Sequence, residues 1–230
     1  MQAQELMIVT LTVNQNQEAE FTRFYQHEFL PAILDAVPEF TSVRRYEVCD
    51  ELNRQSRTLS VYEIAGGDVA EAAFTGFSRP ALADVVAQFG RWKETDFSDF
   101  TRVLYKPIYE HRRRPVDGAF ASRPLVAVTT EVKSEVLAGF HEWLHHNYVP
   151  RLMADVPSVA ACRQYQSSGT DPIRYVMIYE FPDEQRLHRG LQEMAAHHRC
   201  QENEALEKWE SLAVEFKETS IYRQTYRLPG

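Results

Sequence analysis

The chain repeats itself, and that periodicity limits its fold more than any single motif does. Residues 21–31 (Phe-Thr-Arg-Phe-Tyr-Gln-His-Glu-Phe-Leu-Pro) align with 140–150 (Phe-His-Glu-Trp-Leu-His-His-Asn-Tyr-Val-Pro). Phe21, His27 and Pro31 fall on Phe140, His146 and Pro150, while Phe24 meets Trp143 and Phe29 meets Tyr148. Farther along, Val37-Pro38 meets Val156-Pro157, and Arg44 and Tyr46 meet Arg163 and Tyr165. After a slip of two residues, Arg57, Tyr62-Glu63, Trp92 and Tyr105 meet Arg174, Tyr179-Glu180, Trp209 and Tyr222. Matches in the same order across both halves read as an internal duplication, and self-similarity at this scale decides the architecture.

Each half carries the same grammar. Residues 6–13 and 124–132 are rich in β-branched side chains and predict a first strand. Apolar residues at three- and four-residue spacing predict helices over 17–36 and 134–155. Pro31 and Pro150 lie inside those helices, where a missing N–H and a steric clash predict a kink or break. Strands follow at 41–49 and 57–65, and at 158–167 and 173–181. The turn formers Ser167-Ser-Gly-Thr-Asp-Pro172 separate the latter pair. Helical regions over 68–95 and 183–213 lead to last strands at 100–109 and 217–227. The fold class is therefore α+β: two β-α-β-β-α-β, ferredoxin-like repeats. Helices on one face leave the other face of each sheet in need of cover, which predicts sheet-to-sheet packing as an intramolecular α+β barrel. The expected boundaries are 1–109 for the first repeat, 110–122 for a linker and 123–230 for the second.

Composition narrows the function classes. A net charge of −8 does not supply the basic footprint that nucleic acid requires, and Arg112-Arg113-Arg114 reads as a solvated connector. No run of about 18 apolar residues predicts a membrane span. The opening Met-Gln-Ala-Gln-Glu lacks a secretory pattern, and Cys49, Cys162 and Cys200 form no disulfide framework. A cytoplasmic protein, monomeric or homodimeric, is the expectation. With nine glycines and no Gly-rich phosphate loop, nucleotide chemistry is not expected. The 13 Phe, 11 Tyr and 3 Trp suit packed sheets and equally suit a pocket for a flat organic molecule.

The stretches Phe21…Phe24-Tyr25…Leu30-Pro31…Val37-Pro38…Ser42-Val-Arg-Arg-Tyr46, and in the second half Phe140…Trp143…Val149-Pro150…Val156-Pro157…Cys162-Arg-Gln-Tyr165, resemble the dimeric α+β barrel superfamily, particularly its EthD-like branch. The resemblance implies a ferredoxin-like barrel and a pocket between sheet and helices for a hydrophobic, often aromatic, small molecule. It also implies a choice among cofactor-independent monooxygenases, isomerases, cyclases, dehydratases, haem enzymes and proteins without chemistry. The family histidine stands two residues before the proline. Here that place holds Phe29 and Tyr148, and His27 and His146 stand four before it.

The candidate chemistry concentrates in the second half, which holds His141, His145, His146, His188, His197 and His198. Histidines near a pKa of about 6.5 suit proton transfer, so His146, His141 and His27 are candidate acid–base groups with Tyr148 as a hydrogen-bond donor. His27 and His146 would equally cap or pack the turn before each proline. Trp143, Arg163 and His198 are candidate substrate-binding residues, Arg163 as an anion clamp unless it pairs with a carboxylate on the sheet. His141-Glu142-Trp143-Leu144-His145 fits a zinc signature literally. The first copy, Thr22-Arg-Phe-Tyr-Gln26, keeps neither ligand, so no metal is expected and His141 with His145 stands as the alternative. In the first half, Phe74, Phe77, Phe89 and Phe97 would fill the corresponding space. The expected function is a small-molecule enzyme without nucleotide cofactor, working by acid–base chemistry on a hydrophobic, aromatic or enol-type substrate. A silent binding or assembly protein is the alternative, and a haem- or metal-dependent enzyme the second alternative.

Overall fold

A computed structural model describes residues 4–49, 56–66, 68–113, 124–170, 172–199 and 203–228. Cys200 and most of the expected linker lie outside these residues. Eight strands, β1 (Leu6–Val13), β2 (Phe40–Val48), β3 (Ser56–Ile64), β4 (Phe97–Arg112), β5 (Leu125–Val132), β6 (Ala161–Ser168), β7 (Arg174–Glu180) and β8 (Val214–Leu228), close into a barrel. Their order is β1-β3-β2-β8-β5-β7-β6-β4, the intramolecular α+β barrel of two ferredoxin-like repeats. The compact units are Met1–Lys106 with Tyr222–Gly230, and Pro107–Ile221. β4 runs on through Arg112, so Glu110–Arg112 is strand where a linker was expected.

In the first unit, β1 pairs antiparallel with β3 and β4, and β2 pairs with β3 and with the end of β8, from Val43↔Leu228 to Val48↔Tyr222. Helices α1 (Glu18–Phe24) and α2 (Leu30–Ala36) flank a single π-helical turn, Tyr25–Phe29. They cover one sheet face together with α3 (Ala70–Thr75) and α4 (Ala83–Thr95). In the second unit, β5 and β6 each pair with β7. Helices α5 (Leu137–Trp143) and α6 (Val149–Asp155) flank the π turn Leu144–Tyr148. α7 (Glu184–Arg199) and α8 (Asn203–Ala213) follow. No helix among the described residues is long and apolar enough to cross a membrane.

Neither proline breaks its helix. Pro31 and Pro150 stand in the first turn of α2 and α6, and the wider π turn just before each gives the carbonyl that a proline ring would otherwise strike room to move aside. The same turn resets the helical phase, so Tyr25 and Phe29 both stay buried, as does Leu144, while His27 and His146 face solvent.

Strand alternation sorts the side chains. On β6, Cys162 and Gln164 face the helices, and Ala161, Arg163 and Tyr165 take the opposite face; all five are 0–2% exposed. Arg163 donates there to Glu180 and, over 2.5 Å, to Glu110. Arg44 does the same in the first unit, reaching Glu63 at 2.6 Å, with Ser42 on the second carboxylate oxygen at 2.5 Å. Breaking one side of such a buried pair leaves an uncompensated charge, which costs about 3–5 kcal/mol. Arg163→Met should therefore lower unfolding free energy in urea by about that amount, and adding Glu180→Leu should restore most of it. Arg174→Met, at the half-buried Arg174–Glu131 pair on the rim of the sheet, should cost less than that, about 1 kcal/mol.

A cavity under the helices of the second repeat

A cavity of about 200 Å³ lies between the sheet and helices of the second unit. Its floor is Val126, Val128, Met177 and Tyr179 from the strands, and its roof is Phe140, Leu144 and Leu152 from α5 to α6 with Leu191 and Met194 from α7. Polar groups reach it at few places: Tyr148 from the π turn, Gln164 from β6, His198 from α7, Thr130 from β5, Thr219 from β8, and the ion pair of Glu210 and Lys217. Few polar groups set in an apolar wall is the usual make-up of a small-molecule site.

The corresponding positions of the first unit explain why the cavity exists. In sequence register, Tyr148, Leu191, Met194, Val214 and Lys217 stand where the first repeat has Phe29, Phe74, Phe77, Phe97 and Phe100. There the rings stack into one another: Phe29 on Phe89 at 4.7 Å between centroids, Phe97 edge-on to Phe21 at 4.8 Å, and Phe100 on Phe89 at 5.8 Å. The Arg102 guanidinium lies over Phe74 and Phe77 at 4.4 and 4.8 Å. Phenyl rings replaced by smaller or unbranched side chains free volume that close-packed neighbours do not recover.

Electrostatics divides the polar groups. Burial pushes the Tyr148 hydroxyl well above its ordinary range, with the nearby Glu210 carboxylate adding to it, so Tyr148 stays a proton donor. Burial lowers the His198 imidazole, with His197 and Lys217 acting in the same direction and Glu210 against them, so the neutral, proton-accepting form is favoured. The two rings face each other at 6.4 Å between centroids. The His197 ring lies edge-on to Tyr148 at 5.8 Å, with its Nδ1 2.9 Å from Asp155.

Of the residues singled out from the sequence, Tyr148 and His198 line the cavity and the others do not. His146 and His27 are exposed, and the His27 ring stands edge-on to Tyr226 at 6.1 Å. Trp143 sits behind Tyr148, with ring centroids 5.4 Å apart, and stacks on Trp209 at 6.1 Å. Arg163 points away from the helices into its carboxylate pairs, so it is no clamp for an anion in this cavity. Gln164 and the Glu210–Lys217 pair were not singled out. The signal for Gln164 is that it alternates with Arg163 on a buried strand, in the register where the first repeat buries Arg45.

His141 and His145 form a separate cluster. Their rings stack at 5.4 Å, and His141 meets Tyr175 edge-on at 4.6 Å. His145 Nε2 lies 2.5 Å from Gln164 Oε1, and Glu142 is exposed. Among the described residues no group of three or more His, Cys, Asp or Glu side chains is gathered as metal ligands would be. His145 Nε2, one of the two nitrogens that the spacing would offer a metal, is taken up by Gln164.

Burial, then His145, holds the His141 pKa down to about 4, against an ordinary value of 6.5. Between those values the unfolded chain binds a proton that the folded chain refuses, so falling pH favours unfolding. The contribution is complete above pH 6.5 and is lost as pH drops towards about 4. Urea unfolding at pH 4.5 and pH 7 should show a smaller pH dependence in His141→Gln than in the unaltered chain, and NMR titration should place the His141 midpoint well below 6.5.

No protein-family model matches the sequence, and no curated protein matches it. Solved structures do match over nearly the whole chain. A monooxygenase candidate from Fusobacterium nucleatum is 10% identical with a TM-score of 0.63, over 100% of this chain and 96% of its own. An anthrone oxidase-like protein is 10% identical with a TM-score of 0.68, over 98% and 93%. A monooxygenase candidate from Lactobacillus acidophilus is 11% identical with a TM-score of 0.57, over 99% and 97%. Likeness at such low identity speaks to architecture alone: the chain shares the α+β fold of these structures.

Proposed function

We propose that the chain is a cofactor-free oxygenase acting on a small aromatic or enol-type molecule held in the cavity of the second repeat. The observation that carries this reading is the convergence of Tyr148 and His198 on the cavity, at positions whose counterparts in the first repeat are Phe29 and Ala81. The neutral His198 imidazole takes a proton from the enolisable carbon or phenol. Tyr148, kept protonated, donates to the oxygen on which negative charge develops. Isomerases, lyases and cyclases start from the same enolate. The oxygenase branch is preferred because the similar structures include monooxygenase candidates and an anthrone oxidase-like protein. Apolar cavities of about 150 Å³ accept a benzene ring, so about 200 Å³ suits one substituted ring or two small fused rings.

Haem, the second alternative, does not fit this site. A porphyrin is far larger than a cavity of about 200 Å³, and its wall is filled by Phe140, Leu144, Leu152 and Met177. The paired positions, together with a π turn before the same proline in both halves, support descent from one duplicated EthD-like unit.

The test is a panel of one- and two-ring phenols and enolisable aryl ketones, followed by calorimetry and an oxygen electrode. A bound compound consumed together with O2 is the expected result. Tyr148→Phe and His198→Ala should each lower that rate by about 100-fold or more. Val214→Phe installs the residue that stands in the same register of the first repeat, and should abolish binding without lowering the melting temperature. Binding without turnover would favour the silent binding protein. Full activity in both Tyr148→Phe and His198→Ala would overturn the assignment.

A further inference from the structure

The cavity wall contains a second hydrogen-bond donor whose direction is set from outside the cavity. Gln164 is 2% exposed and belongs to the cavity lining. Its Oε1 lies 2.5 Å from His145 Nε2. An amide oxygen only accepts, so Nε2 of His145 carries the proton and the Gln164 amide nitrogen is turned the other way. Among the described residues the Gln164 amide makes one hydrogen bond, to His145, and its nitrogen is not one of the fully enclosed unpaired polar atoms, which leaves it open to the cavity.

His145 is itself held firmly. The Tyr109 ring lies parallel to it, 4.1 Å away between centroids and 5° between planes, and the Tyr109 hydroxyl donates to the His145 carbonyl oxygen at 3.0 Å. Burial lowers the His145 pKa, which keeps the ring neutral near pH 7. A neutral imidazole carries one N–H, and the bond to Gln164 places it on Nε2.

We infer that Gln164 is a recognition residue for a carbonyl or phenolate oxygen of the cavity's ligand, and that His145 is the positioning residue that fixes its amide with the N–H groups towards the cavity. This inference rests on the cavity reading above and adds the substrate class: one aromatic ring bearing an oxygen acceptor. A buried amide nitrogen left unpaired by a hydrocarbon ligand disfavours that ligand, so the site should discriminate against oxygen-free analogues of the same shape. Gln164 stands in the register where the first repeat has Arg45, whose guanidinium instead lies over the Phe21 and Tyr25 rings and donates to Thr22.

The probes are acetophenone and α-methylstyrene, which differ by C=O against C=CH2 at nearly the same shape. The unaltered chain should bind acetophenone about five- to tenfold more tightly. Gln164→Met should remove that preference while leaving α-methylstyrene affinity within about twofold. His145→Phe should remove it too, and His145→Gln, which supplies an amide N–H near the place of Nε2, should restore it. A merely structural role for His145 would not move the ratio of the two affinities. In NMR spectra the Gln164 side-chain NH2 signals should shift with acetophenone in the unaltered chain and in His145→Gln, but not in His145→Phe. Equal binding of both probes by the unaltered chain overturns the donor site and leaves the cavity reading standing. Binding of neither probe overturns both.

Discussion

Strands buried on both faces govern this molecule. Every side chain on β6 from Ala161 to Tyr165 is at most 2% exposed, so no polar group there can turn to bulk water. A buried polar group must be paired, or its desolvation weighs against the fold. Arg163 meets that demand with Glu180 and Glu110, one residue away from Gln164, which meets half of it with His145. The same rule applies to β2, where Arg44 pairs with Glu63 on one face and Arg45 donates to Thr22 on the other. Buried arginines on these sheets are thus taken up by the fold, and Gln164 is the polar side chain that β6 buries on its helix-facing side.

The two repeats meet the packing demand differently. The first fills its helix–sheet layer with aromatic rings at centroid spacings of 4.7–6.5 Å. Phe21 alone contacts Phe24, Tyr25, Phe89, Trp92 and Phe97. Its hydroxyls are satisfied internally, with Tyr25 bonded to both Ser60 and Tyr62. The second keeps the landmarks Phe140, Trp143 and Trp209 but trades the rings around them for Leu191, Met194 and Val214. The landmark rings continue to pin α5 to α8.

Element order was legible because both periodicities are strong. β-branched alternation marked β1 over Leu6–Val13, and the three-four spacing of Phe21, Phe24 and Tyr25 marked the helix after it. The response to Pro31 and Pro150 was not legible. A proline predicts strain without saying whether a helix breaks or widens, and here it widens by a π turn. The last strands reach farther than their apolar cores, since β4 ends at Arg112 and β8 begins at Val214, where polar residues hide the alternation. The site was read in part. Histidine clustering directed attention to the second half, but counting histidines could not separate His198, which is exposed yet lines the cavity, from His146, which is exposed and does not. Nor could it say which face of β6 carries Arg163, because alternation gives the period of a strand and not its phase.

The comparison between repeats bears on why the polar groups are where they are. If Tyr148 and Lys217 served the fold, the first repeat would need polar groups at the same positions, yet Phe29 and Phe100 stand there and are packed against Phe89. The hydroxyl and the ammonium therefore occur where phenyl packing has been given up. A buried Tyr148 hydroxyl and a partly desolvated His198 carry a free-energy penalty that an all-apolar wall would avoid. The first repeat shows that such a wall is available to this architecture. A penalty carried by one repeat, when its counterpart offers the cheaper packing, is the physical ground on which the cavity is proposed as a ligand site.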